Sequence, residues 1–207
     1  MKTFLITIAT LISVSAFAQK NFEAEMSKSL IEWKQNSSST ANFEQLSKDF
    51  PKEWLPKYYL AFSEVLSTFE NKNIEENYKK LDKAKAIIDE LQAENLMNPE
   101  ILNLKALYLT AEIVQNPMQK GAENTPIIQQ LYTKSLVLNP SNPRSVLGSA
   151  EFNINLANYS GANITQDCEN VKKALVLFDT DQPKKNEPKW GKDRAENLLN
   201  NQCKSIL

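Results

Sequence analysis

The residues able to carry out acid–base or nucleophilic chemistry are few in this chain. None of its 207 residues is a histidine, which excludes Ser-His-Asp and Cys-His mechanisms and most catalytic zinc sites. Neighbouring carboxylates remain, at Glu75–Glu76, Asp89–Glu90 and Asp179/Asp181. The first two lie among lysines in helical patterns, where solvated ion pairs are the ordinary explanation. The third has too few spaced oxygens for calcium. We therefore predict a protein that is not an enzyme, with no catalytic residue, no metal site and no cofactor.

Two cysteines, Cys168 and Cys203, offer redox chemistry instead. They are too distant for a Cys-x-x-Cys motif, and no histidine is present to complete a zinc site. Helices are predicted over about 165–178 and 191–203. If these two helices pack antiparallel, both sulfurs lie at one end of the hairpin, where a disulfide is possible. We expect that disulfide; two unpaired buried thiols are the alternative.

The N-terminus predicts export. Lys2 precedes an apolar run over 4–17 that is shorter than the roughly 20 residues needed to span a bilayer. Small residues at Ala16 and Ala18 predict a signal peptide over 1–18, cleaved after Ala18, and a single soluble domain over 19–207, periplasmic or extracellular. A membrane anchor is the alternative. The formal net charge of -1 provides no overall basic field for nucleic acid.

Proline, asparagine and glycine divide the rest of the chain into amphipathic segments. Apolar residues at helical spacing predict further helices over about 52–69, 74–96, 99–115, 125–139 and 144–156. The segment 116–124 is predicted as a loop, with the next helix beginning at Thr125-Pro126 in the cap-then-proline order. The scarcity of glycine, four residues in all, disfavours a sheet protein rich in tight turns. The predicted fold class is all-α.

The alternation of helix, turn and proline also predicts a repeat. Ile128, Tyr132 and Ser135, followed by an Asn-Pro junction over 138–143, resemble the second half of a tetratricopeptide unit. If Ala61, Ala106 and Ala150 are equivalent small residues in successive first helices, their spacings are 45 and 44 residues, against about 34 in typical repeats. The chain thus resembles the tetratricopeptide family. The resemblance implies an irregular array of helical hairpins, an α-α superhelix, with extra N- and C-terminal helices.

A closer resemblance is to a group of exported tetratricopeptide-like proteins of Bacteroidota, whose function is undefined. It is carried by Asn116-Pro117-Met118, by residues 139–144 and by Pro188-Lys189-Trp190-Gly191. Their relatives often carry a Gly-rich turn where this chain has residues 158–162, so the resemblance does not extend a shared ligand role to that turn.

Arrays of this kind mostly serve as scaffolds that bind a partner protein or peptide along a groove. Tyr58 and Phe62 lie one turn apart and are the candidates to line that groove, with core packing as the alternative. We expect an exported interaction module. The other hypothesis is a small-ligand carrier or enzyme with a pocket between the loop 116–124 and the turn 159–162, formed with Met118, Tyr159 and Trp190.

Overall fold

Helices account for nearly all regular structure in the computed structural model, which describes residues 21–36, 40–95, 97–204 and 206. The predicted signal peptide over 1–18 lies outside the described residues. Within the described ranges the chain forms nine helices and no strand: α1 over residues 21–35, α2 Ala41–Asp49, α3 Trp54–Glu70, α4 Ile74–Glu94, α5 Pro99–Gln115, α6 Pro117–Leu138, α7 Pro143–Ser160, α8 Thr165–Thr180 and α9 Lys192–Asn200. The all-α prediction is confirmed.

Sequential helices pack as hairpins. The strongest interhelical packing joins α5 with α6, α3 with α4, and α7 with α8. Further packing of α3 against α5, and of α5 against α7, stacks the first helices of successive hairpins. Ala61, Ala106 and Ala150 are buried on α3, α5 and α7, where small side chains allow helices to approach closely. The hairpin array is therefore confirmed, and its assignment to the tetratricopeptide type stays a prediction.

Asparagine caps define where four of these helices begin. The side-chain oxygens of Asn73, Asn98, Asn116 and Asn142 accept hydrogen bonds from backbone N–H groups in the first turns of α4, α5, α6 and α7. Proline follows three of these caps directly, at the position where a missing N–H costs nothing.

The predicted loop over 116–124 is wrong, because α6 already begins at Pro117 and runs through Pro126. Two cap-then-proline signals occur in this stretch, and the side chain of Asn116 caps the helix by accepting from the Gln119 N–H. The Thr125 hydroxyl instead donates to the Gly121 carbonyl within the continuing helix. The predicted loop over 116–124 and the predicted late start of the helix both result from taking the second signal, Thr125-Pro126, as the beginning of the helix.

The packed interior has two parts. The larger lies among α1 to α6, with Phe152 of α7, and contains the aromatic residues Phe43, Tyr58, Tyr59 and Phe62. The smaller lies among α7, α8 and α9 and contains Val146, Leu147, Ile154 and Val171. It also contains the predicted disulfide between Cys168 and Cys203, which is confirmed, with 5.6 Å between the two Cα atoms. The bond closes over a separation of 35 residues and fixes the segment after α9 to the start of α8.

Substitution by alanine is expected to have opposite effects on stability at two helical glycines. A Cβ atom at Gly148 meets the buried ring of Tyr132 at 2.6 Å, whereas a Cβ atom at Gly121 meets nothing within 4 Å. Gly148→Ala should therefore destabilise the fold by roughly 1–3 kcal/mol through overpacking. Gly121→Ala should stabilise it by about 0.5–1 kcal/mol through helix propensity. Urea unfolding of both variants tests this pair, and equal shifts for the two would contradict it.

Candidate functional site

The two aromatic residues predicted to line a partner groove are buried in the larger core. Tyr58 is 0% and Phe62 2% exposed, and their stacked rings lie 5.9 Å apart. Trp190 stacks on Phe62 at 4.8 Å, and its indole nitrogen donates to the Tyr58 hydroxyl oxygen at 3.1 Å. Burial raises the pKa of Tyr58 well above its usual value, so the phenol is neutral. The groove assignment for these residues is corrected: they are core packing, the alternative reading of the stripe.

The three residues of the predicted loop pocket are not brought together. Met118 is 95% exposed and stands beside Pro117 at the start of α6. Tyr159 is 89% exposed at the end of α7 and lines the large cleft described next. Trp190 is half-buried against Phe62 and Tyr58. Residues of both predicted segments, Pro117, Gly121 and Ala122 in one and Tyr159 in the other, line that cleft, whereas Met118 and Trp190 do not.

An open cleft of about 1380 Å³ is lined by α3, α5, α6 and α7, by Trp33 of α1 and by Arg194 of α9. We call it the cleft. Its apolar walls come mainly from the later turns of the first helix of each hairpin. They include Leu66, Phe69, Ile113, Val114, Phe152 and Leu156. The cleft is larger than the usual 300–1,000 Å³ of small-molecule sites, so it accommodates a bulky ligand.

Helical spacing explains how these side chains share one surface. Ser63, Leu66 and Ser67 recur at intervals of three or four on α3, as Thr110, Ile113 and Val114 do on α5. On α6 the lining residues are small or proline: Pro117, Gly121, Ala122, Thr125 and Pro126. Because these residues project little side-chain volume, the space opposite α3 and α7 stays open.

Large apolar side chains are exposed along the edge of the cleft. Phe69, Val114, Leu156 and Tyr159 all line it while retaining substantial solvent exposure. Scattered exposed apolar residues need no explanation, but a contiguous group around a concavity indicates a ligand or partner site. This edge is therefore the strongest surface candidate for binding.

The polar chemistry of the cleft is limited. Its charged residues are Glu70, Glu151 and Arg194, and Arg194 Nε contacts both Glu151 carboxylate oxygens at 2.6 and 2.7 Å. The lining contains no histidine, cysteine or methionine among the described residues. Across the described part of the chain, no group of three or more cysteine, aspartate or glutamate side chains is arranged to hold a metal ion. This arrangement favours binding through apolar contact.

A second, much smaller cavity of about 30 Å³ adjoins the cleft; we call it the chamber. Thr110, Glu151, Phe152, Asn155 and Arg194 line both cavities. The chamber is enclosed further by Asn103, Tyr132, Arg144 and Trp190. The cleft thus ends on a polar wall, a feature that no motif in the sequence marks.

Among the residues that the structure describes, no helix combines the length and apolar character needed to cross a membrane.

Comparison with known proteins gives one informative likeness. No protein-family model matches the chain, and no curated protein matches its sequence. Among solved structures, the chain is similar to the HusA haemophore from Porphyromonas gingivalis, with a TM-score of 0.69 and 18% sequence identity. The match covers 90% of this chain and 92% of that chain. At this identity the likeness shows a shared helical fold.

Proposed function

We propose that this chain is an exported binding protein, not an enzyme, and that its cleft holds a flat, largely apolar ligand of the porphyrin class such as haem. The observation that carries the proposal is the open apolar cleft of about 1380 Å³ in a fold that resembles a haemophore over nine-tenths of its length. The disulfide supports export, since such bonds persist in oxidising compartments.

The residues of the cleft fit the apolar part of such a ligand. A porphyrin is a broad aromatic plate with a few carboxylate substituents. Phe69, Ile113, Phe152 and Leu156 offer it apolar contact, and burial of apolar surface contributes roughly 25 cal/mol per Å². Arg194 uses its Nε for Glu151, which leaves its terminal nitrogens available to a ligand carboxylate.

Iron coordination is a minor part of this proposal. Haem iron in proteins is held by histidine, cysteine, methionine or tyrosine, and Tyr159 is the one such residue among the cleft-lining side chains that the structure describes. It is highly exposed, so it has little of the burial and support that fix an axial ligand. We infer that its ring contributes apolar contact and that the hydroxyl contributes little.

Paired substitutions of Tyr159 test this assignment. Tyr159→Ala should weaken binding of both haem and metal-free protoporphyrin by roughly 5- to 30-fold, because it removes about 1–2 kcal/mol of aromatic contact. Tyr159→Phe keeps the ring and should stay within about twofold of the unsubstituted protein. Absorbance and fluorescence titrations of the two ligands measure these affinities.

Tyr78→Ala is the matched control, because Tyr78 is an exposed tyrosine on α4 outside the cleft. It should leave both affinities unchanged. A selective loss of haem affinity in Tyr159→Phe would instead assign the phenol oxygen to iron. Equal affinity of Tyr159→Ala and the unsubstituted protein would show that the ligand does not contact the edge of the cleft at Tyr159.

The exposed apolar edge also favours a second role at the same place. A carrier must give up its ligand, and a partner protein that docks over the mouth of the cleft would cover Val114, Met118 and Tyr159, which are exposed here. We therefore keep the interaction-module function predicted from the sequence as a proposal, and place the binding site for the partner protein at the mouth of the cleft.

A further inference from the structure

One residue that lines the chamber has a buried polar atom without a hydrogen-bond partner. Asn103 is 2% exposed and lines the chamber, and its side-chain oxygen Oδ1 has no hydrogen-bond partner among the described residues. Buried polar groups are nearly always hydrogen-bonded, and an unsatisfied one costs roughly 1–3 kcal/mol. A missing donor is therefore expected beside this oxygen.

The orientation of the Asn103 amide follows from a chain of hydroxyl groups. The Ser135 hydroxyl donates to the Pro99 carbonyl, which can only accept, at 3.2 Å. With its single proton used, Ser135 must accept from the Ser145 hydroxyl at 2.7 Å. The Ser145 oxygen then accepts from Asn103 Nδ2 at 2.9 Å. This chain of hydrogen bonds places the amino group of Asn103 on Ser145. The side-chain oxygen Oδ1 of Asn103 is then left without a partner.

The size of the chamber limits what the donor can be. The volume of about 30 Å³ matches the roughly 30 Å³ that one water molecule occupies in the liquid. Its wall is mixed: Leu107, Leu147 and Phe152 contribute apolar surface, and the polar side chains of Thr110, Asn155 and Arg194 are available as further partners. Apolar cavities stay dry, whereas polar cavities of this size with two or more partners bind water.

We propose that the chamber is a binding site for one ordered water molecule, held by donation to Asn103 Oδ1. The water is expected whichever ligand the cleft binds. Because five residues line both cavities, the water forms part of the polar end of the cleft. It satisfies a core amide and presents its remaining hydrogen-bonding capacity toward the cleft wall.

A crystal structure of the mature, ligand-free protein at about 1.5 Å tests the proposal. It should show one ordered water within roughly 3.2 Å of Asn103 Oδ1, with at least one more partner on the chamber wall. Asn103→Leu, crystallised in the same way, should lose that water. An empty chamber in the unsubstituted protein would overturn the proposal, as would an amide oxygen that bonds Ser145 instead. A water that persists in Asn103→Leu would show that Asn103 does not hold it.

Discussion

Gly121→Trp is expected to weaken haem binding by roughly 10- to 100-fold, a loss of about 1.4–2.7 kcal/mol. Gly121 lines the cleft from α6, and its Cβ position has no atom within 4 Å. An indole placed there enters open space and occupies volume that the ligand requires. Since the Cβ position is free of contacts and opens on the cleft, we expect the free energy of unfolding to change by less than about 1 kcal/mol. Absorbance titration with haem and urea unfolding measure the two quantities.

Two controls separate blockage from other effects of the substitution. Gly121→Ala changes the same backbone position without filling the cleft and should bind haem normally. Val137→Trp places an indole on the same helix at an exposed site outside the cleft and should also bind normally. Unchanged affinity in Gly121→Trp would place the ligand elsewhere on the molecule.

Arg144→Met should destabilise the fold by roughly 3–5 kcal/mol, the range for removing one partner of a buried ion pair. The Arg144 guanidinium is buried and contacts Glu100 at 2.9 Å and Asp181 at 2.8 Å. It thereby joins α5, α7 and the end of α8. Burial raises the pKa of Glu100, and the charge of Arg144 opposes that rise. Without the arginine, the Glu100 carboxylate remains buried with only Asn142 bonded to it.

Thermal unfolding measures this effect, which corresponds to a melting-temperature decrease of about 10 °C for a domain of this size. The double variant Arg144→Met/Glu100→Met should recover much of the loss, because both charges are then removed. Lys85→Met breaks an exposed pair with Asp89 and should cost less than about 1 kcal/mol. Similar losses for Arg144→Met and Lys85→Met would contradict the role assigned to the buried network.

Local signals in the sequence predict most of the helices. The Asn98-Pro99 cap and the apolar spacing after it predict α5 as Pro99–Gln115, the observed range. The error at α6 arose because Asn116-Pro117 and Thr125-Pro126 are locally equivalent start signals. Only the tertiary structure, in which Asn124 donates to the Leu109 carbonyl of α5, shows that this stretch is packed as helix.

The candidate site is less accessible to sequence reasoning. An aromatic stripe such as Tyr58 and Phe62 has the same pattern in a groove and in a core, and here the neighbour Trp190, distant in sequence, buries it. The cleft instead exists because Gly121 and Ala122 are small and leave space open beside α6. A pattern of side chains in the sequence does not indicate such a space. Tyr159 was identifiable as a candidate because it lies in a predicted turn. The disulfide between Cys168 and Cys203 was predictable, because antiparallel packing of the last two helices is enough to place both cysteines at the same end of the hairpin.

The central claim is that the cleft binds a porphyrin-class ligand, and NMR mapping tests it most directly. The isotopically labelled mature protein would be titrated with gallium protoporphyrin, a diamagnetic analogue of haem. Saturable shifts are expected in the backbone amides of cleft residues, with Gly121, Thr125, Asn155 and Tyr159 among the largest. Amides on the outer helix α4, such as those around Tyr78, should stay unchanged. Absence of shifts, or shifts centred on α4 or α8, would contradict the claim.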